Sequence, residues 1–160
     1  TKLRMKDFFL KWYQYNAWAN RRVIGCLEQQ MVTDEKILTV FGHLMAANFI
    51  WLNRINDLPK SKYELWGKYD LPQLRTMVEE ADALWMNFLA EHDNFDRIMK
   101  YRNYVGDYFE NNVQQIMIHL VNHGTYHRGQ VAMLLRQQGL EPVNTDFITW
   151  DRVISGQLND

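Results

Sequence analysis

Proline interrupts this chain at only three places, Pro59, Pro72 and Pro142, and the stretches between carry apolar residues at helical spacing. From about Lys6 to Gln29, Phe8, Phe9, Trp12, Ala19, Val23, Cys26 and Leu27 recur close to the 3.6-residue period of one helix face. A second run follows Thr33-Asp34-Glu35-Lys36, which offers a cap and early acidic residues to a helix N-terminus. It continues to about Asn56 with Ile37, Val40, Phe41, Leu44, Ala47, Trp51, Leu52 and Ile55 as its apolar face. A third opens at Asp70-Leu71-Pro72, where Asp suits the cap and Pro the first turn, and keeps its period to about His92. A fourth runs from about Asn112 to Gln138, with Gly139 as its C-terminal stop. Four long amphipathic helices on short connections predict an all-α antiparallel four-helix bundle.

Three stretches fall outside this pattern. Residues 57–70 read as a loop, unusually aromatic through Tyr63, Trp66 and Tyr69, which either cover a cavity or pack on the bundle end. Residues 95–111 read as a short extended excursion before the last long helix, a loose hairpin around Gly106-Asp107. After Pro142 a short helix beginning near Thr145 or Asp146 carries enough apolar bulk to fold back on the bundle.

At 160 residues, the chain is expected to form one domain over 1–160 with one substantial core. A formal net charge of −1, with no run of lysines or arginines, argues against a nucleic-acid partner. No apolar run approaches the roughly 20 residues needed to span a bilayer, which argues against a membrane partner. The sequence as given opens with no secretory-leader pattern, and its single Cys26 cannot form an internal disulfide. A reducing, cytoplasmic setting is the expectation, with Cys26 as a small core residue.

The chemistry concentrates in His119-Leu-Val-Asn-His123-Gly-Thr-Tyr-His127-Arg-Gly-Gln130. A four-residue step on a helix returns to within about 40° of the same face, so neighbouring imidazoles here can reach one point. His123 and His127 fill a gap in the apolar stripe formed by Val113, Ile116, Met117, Leu120, Val131, Leu134 and Leu135, which turns them inward. His119 lies nearer the stripe's edge. An inward pair at i and i+4 is either half of a metal site or a packed pair of core histidines. His43 lies beside the apolar stripe of the second predicted helix, where a lone histidine is ordinarily a packed one. Taken with the inward pair it would complete three neutral imidazoles, a set suited to Zn²⁺, Ni²⁺, Co²⁺ or Fe²⁺ that leaves positions open for a ligand. Asn16, on the inward stripe of the first helix, is either an amide at the bundle end or a group orienting a ligand. Asn16, Asn48, Arg128 and the aromatic loop are the candidates for lining the open face. Gly42, Gly124 and Gly129, inside predicted helices, hint at close helix approach around it.

Other chemistries lack their residues. The residue after His123 is Gly124, so the His-Glu-x-x-His arrangement of helical zinc proteases, with its glutamate base, is excluded. The sequence has no Gly-x-Ser-x-Gly elbow and no phosphate-cradling glycine loop. Activation would fall to the metal itself, which lowers the pKa of a bound water or thiol.

Three stretches together resemble the DinB-like (DinB/YfiT-like) family of metal-binding four-helix bundles: Tyr15-Asn-Ala-Trp-Ala-Asn-Arg-Arg22, Gly42-His43-Leu44 and His119 through Gln130. Their order and spacing cover nearly the whole chain. The resemblance implies a histidine triad in which His43, His123 and His127 ligate a divalent transition metal whose identity varies among members; zinc or nickel is expected here first, then iron or cobalt. It gives His119 no ligand role. It also implies a homodimer and a thiol-dependent transferase or isomerase activity using a low-molecular-weight thiol such as bacillithiol or mycothiol. The leading expectation is therefore S-transferase-like transfer of a metal-activated thiol to a small-molecule substrate. The alternatives are a metal-dependent hydrolase and a non-catalytic metal-containing stress-response or binding protein.

Overall fold

The computed structural model describes residues 4–160. Four long helices carry the fold: α1 (Met5–Gln29), α2 (Glu35–Ile55), α3 (Leu71–Glu91) and α4 (Val113–Gln137), with a short α5 (Phe147–Ile154). Of these, α1 packs on α3 and α4, and α2 packs on the same two. The chain is mainly helical rather than all-α, because residues 95–112 do more than extend. Strands β1 (Ile98–Arg102) and β2 (Tyr108–Asn112) form an antiparallel pair with Ile98 opposite Asn112 and Arg102 opposite Tyr108. The alternating aromatic and polar residues that break the helical period are the ones a two-stranded sheet can accommodate. Among the described residues no helix is long and apolar enough to cross a membrane.

The helix ends are set by local chemistry. The Asp34 carboxylate accepts the Ile37 amide at 2.9 Å, so Asp34 rather than Thr33 caps α2. Asp70 with Gln73, and Asn112 with Gln115, form reciprocal capping boxes on α3 and α4. Gly139 takes up a positive φ of 72° just past α4, a conformation that favours glycine. Asn112 both ends β2 and caps α4, so the hairpin runs directly into the histidine-bearing helix. The amides of Val113 and Gln114 donate to the carbonyls of Arg97 and Phe95 at 3.0 and 2.9 Å, anchoring the start of α4 to the segment ahead of β1.

The Ile37 amide holds the Asp34 carboxyl below its ordinary range. A depressed folded-state pKa means the cap's contribution is present above the unfolded value and is lost as pH falls through the folded one. Asp34→Ala is expected to cost about 1 kcal/mol at neutral pH. The gap to the parent protein, measured by urea unfolding across pH, should close on acidification.

Two apolar clusters form the core. One gathers Phe9, Tyr13, Trp85, Phe88, Phe95, Met117 and Leu120, the other Ile24, Leu27, Phe41, Met45, Met77, Val131 and Leu135. Along each of α1 and α4 the changeover between clusters falls where the buried polar residues sit: Asn16 and Asn20, then His127 and Arg128. On α2 the same zone holds His43 and Asn48. A layer of this kind must satisfy itself internally, because an unpaired buried polar group costs about 1–3 kcal/mol.

Candidate metal centre

The α2–α4 contact brings His43, His123 and His127 together. One ring nitrogen from each lies within 4.8 Å of the others. The Nε2 of His123 stands 3.0 Å from that of His43 and 3.1 Å from that of His127. Two nitrogens bound to one ion at about 2.0–2.1 Å each stand roughly 3 Å apart, so the spacing suits a shared cation.

The outer nitrogens decide the tautomers. His43 Nδ1 lies 3.1 Å from the Leu65 carbonyl, an acceptor only, so Nδ1 carries the proton and Nε2 the lone pair. His127 Nδ1 lies 2.7 Å from the side-chain oxygen of Gln130, with the same consequence. Two lone pairs thus face the His123 Nε2. If that nitrogen is protonated it can satisfy only one of them; if not, three lone pairs converge. A cation takes all three at once, and outer hydrogen bonds of this kind are what fix ligand imidazoles. His123 Nδ1 is buried with no partner of its own.

Burial and mutual repulsion hold His43 and His123 neutral. Burial first, then the His127 charge, lowers His43 to about 4, against an opposing effect from the Leu65 carbonyl. Burial first, then the three neighbouring histidines, lowers His123 to about 3. Both are deprotonated at neutral pH, the form that ligates. No carboxylate figures among the groups that shift either one.

Aromatic rings border the triad. Trp66 stacks on His43 with centroids 3.6 Å apart and planes 14° from parallel. Tyr126 stands edge-on to His127 at 5.1 Å. His119 is exposed, 5.3 Å from the His123 ring and 5.8 Å from Trp51. Both Trp66 and Tyr126 are more than half exposed, at 58% and 64%, so this side stays accessible.

Several expectations for the surroundings are corrected. Of the loop aromatics only Trp66 reaches the triad. Tyr63 packs on Phe49 and its hydroxyl donates to Glu80, while the Tyr69 hydroxyl donates to the Glu64 carbonyl. Arg128 does not line the open face. One residue beyond His127 is about 100° further round α4, which aims Arg128 at α1. There its guanidinium donates to Asn16 and Asn20 at 2.9 and 2.8 Å. Asn16 is buried in that network, neither at the bundle end nor beside a histidine. Asn48 donates to the Leu44 carbonyl and faces a small interior cavity shared with Asn16, Asn20 and Trp85. The glycines also lie off the triad. A Cβ on Gly42 would stand 2.8 Å from the Tyr69 ring, one on Gly124 would stand 2.9 Å from Arg128, and one on Gly129 would meet nothing within 4 Å.

Two site residues escape a reading of the sequence for ligands. Gln130 is findable, since it lies three residues after His127 and so on its own side of the helix. Leu65 contributes a main-chain carbonyl, which no side-chain pattern announces.

Comparison with known proteins places the chain in a family. The family model described as "DinB family" matches residues 5–154. A curated relative, Protein DinB of Bacillus subtilis (strain 168), is 24% identical, over 89% of this chain and 93% of its own length.

Proposed function

The chain belongs to the DinB family, and on that footing we propose a single four-helix-bundle domain over 1–160 in which His43, His123 and His127 hold a divalent transition metal. Zinc or nickel suits the three imidazoles first, then iron or cobalt. The observation that carries this reading is the pair of outward-committed Nδ1 groups on His43 and His127, which leave lone pairs converging on His123.

The activity we propose is transfer of a low-molecular-weight thiol to a small electrophile, by a cytoplasmic homodimer. When bound, the metal supplies a lowered pKa to a coordinating thiol or water, and so a nucleophile at neutral pH. The chain's own part is to position and to shelter. Leu65 and Gln130 fix two imidazoles, Trp66 covers one face of His43, and Tyr126 flanks His127. With Gly124 after His123 and no carboxylate acting on His43 or His123, the chain offers no carboxylate base there. A thiol that ionises on coordination needs none, which favours it over water.

The test is elemental analysis of tag-free protein after reconstitution with zinc or nickel, then a screen of electrophiles with and without added thiols. Thiol-dependent product is expected. Turnover without thiol would favour the metal-dependent hydrolase. Tight small-molecule binding without product would favour a non-catalytic binding protein. No metal uptake would sink all three. Gln130→Leu, which frees the His127 ring, is expected to weaken metal affinity about 10–100-fold while one ion still binds at saturation. A competition titration with a chromogenic chelator reads this directly.

A further inference from the structure

Arg54, near the C-terminal end of α2, is a cation held in place without an anion. Its guanidinium carbon lies 4.6 Å from the Trp51 ring centre, 5.3 Å from that of Tyr101 and 5.7 Å from that of Tyr104. These rings attract the charge and restrict its position, but none offers a carboxylate or carbonyl to its N–H groups. Among the described residues Arg54 takes part in no ion pair, and its side chain donates no hydrogen bond to protein. A guanidinium fixed in this way, with its N–H edge free, is ready to receive a planar oxyanion through two parallel bonds.

Arg54 lines a cavity of about 400 Å³ whose other charged residues are Lys60 and Glu64. Two cations against one acid leave the wall positive by one unit. Leu65 lines the same cavity, and its carbonyl accepts the His43 Nδ1 proton. Eleven residues separate His43 from Arg54. That spacing puts them within about 20° of one another on α2 and roughly 16 Å apart along its axis. The cavity thus runs from Leu65, which sits on the Nδ1 side of a triad histidine, to a free guanidinium on the same helix.

We propose that this cavity binds the carboxylate end of the small molecule whose reactive end meets the triad, with Arg54 as the bidentate contact and Lys60 as a second cation. The assignment to a substrate rests on the metal reading above; the carboxylate site itself does not.

The test uses the zinc-loaded protein and titration calorimetry at low salt. The probes are glutathione, a thiol with two carboxylates, and its diethyl ester, the same thiol with both masked. Glutathione is expected to bind at least about tenfold tighter than the ester, the usual scale of a charge-assisted hydrogen bond. Arg54→Gln should bring it to the ester's affinity with zinc content unchanged. Equal affinities in the parent protein, or a preference that survives Arg54→Gln, would overturn the proposal. Should Arg54→Gln fold poorly, Lys60→Gln at an exposed position should still weaken glutathione several-fold and spare the ester. No selective loss there would count against the cavity. Succinate titrated into the metal-free protein separates the two readings. Arg54-dependent succinate binding in a protein that takes no zinc would leave the cavity standing and the metal reading fallen. Zinc uptake with no saturable binding of either acid would do the reverse. Inorganic phosphate is expected not to displace succinate, and displacement by it would overturn the carboxylate assignment.

Discussion

Replacing His127 with alanine is expected to reduce bound zinc from one equivalent per chain to none, with the helical fold retained. Two of the three converging nitrogens would remain, the Nε2 atoms of His43 and His123 at 3.0 Å. The loss goes further than that of an outer hydrogen bond, which costs about 10–100-fold in metal affinity, because it removes a lone pair and not only its support. His43→Ala and His123→Ala should behave alike. His119→Ala is the discriminating control: its ring is exposed and stands 5.3 Å from the His123 ring, beside the triad and not in it, so zinc should stay at one equivalent. Elemental analysis with circular dichroism separates a lost site from a lost fold. Stoichiometric zinc in the folded His127→Ala protein would end the assignment.

The largest effect on stability is expected on the other side of α4. Arg128 is 2% exposed and donates to the side-chain oxygens of Asn16, Asn20 and Thr125 at 2.9, 2.8 and 3.1 Å. Gly124 gives it room, since a Cβ there would stand 2.9 Å from the guanidinium and 3.0 Å from the Asn16 oxygen. Arg128→Met keeps most of the volume and removes every donor. Two buried amide oxygens are then orphaned at about 1–3 kcal/mol each. Part of this is offset because a buried cation no longer needs desolvation. A net loss of about 2–4 kcal/mol is expected, lowering the melting temperature by roughly 5–15 °C. Zinc binding should persist, because the histidines lie on a different face. A loss under about 1 kcal/mol would show that the network is not a principal stabilising element.

How much of this was legible in the sequence depended on whether a feature is set by one helix or by two. The His123–His127 pair follows from the i, i+4 step and from a gap in one apolar stripe, so α4 alone specifies it. His43 does not declare itself on α2; only the packing of α2 on α4 distinguishes it from an ordinary packed histidine. Asn16 was correctly drawn inward by its stripe, whereas Arg128 was expected at the open face of the triad. Their target is nevertheless each other, because periodicity gives a side chain's angle and not which neighbour stands at that angle. Similarly, three aromatics in one loop read either as a cover or as packing on the bundle end. The structure divides them, with Trp66 on His43 and Tyr63 and Tyr69 on the packing of α2 and α3. The hairpin was visible as a loss of helical period, whereas the register of β1 on β2 was not.

Histidines on one face of α4 and Arg128 on another have a mechanical consequence. Turning the helix about its axis would pull His123 and His127 from His43 and, in the same movement, withdraw the guanidinium from α1. The shaft is keyed from two directions, so α4 has little freedom to act as a rotor. The 57–70 connection is not keyed in this way; it reaches the centre through one carbonyl and one indole. Trp66, more than half exposed and stacked on His43, is the part of that connection that any ligand at the triad would meet first.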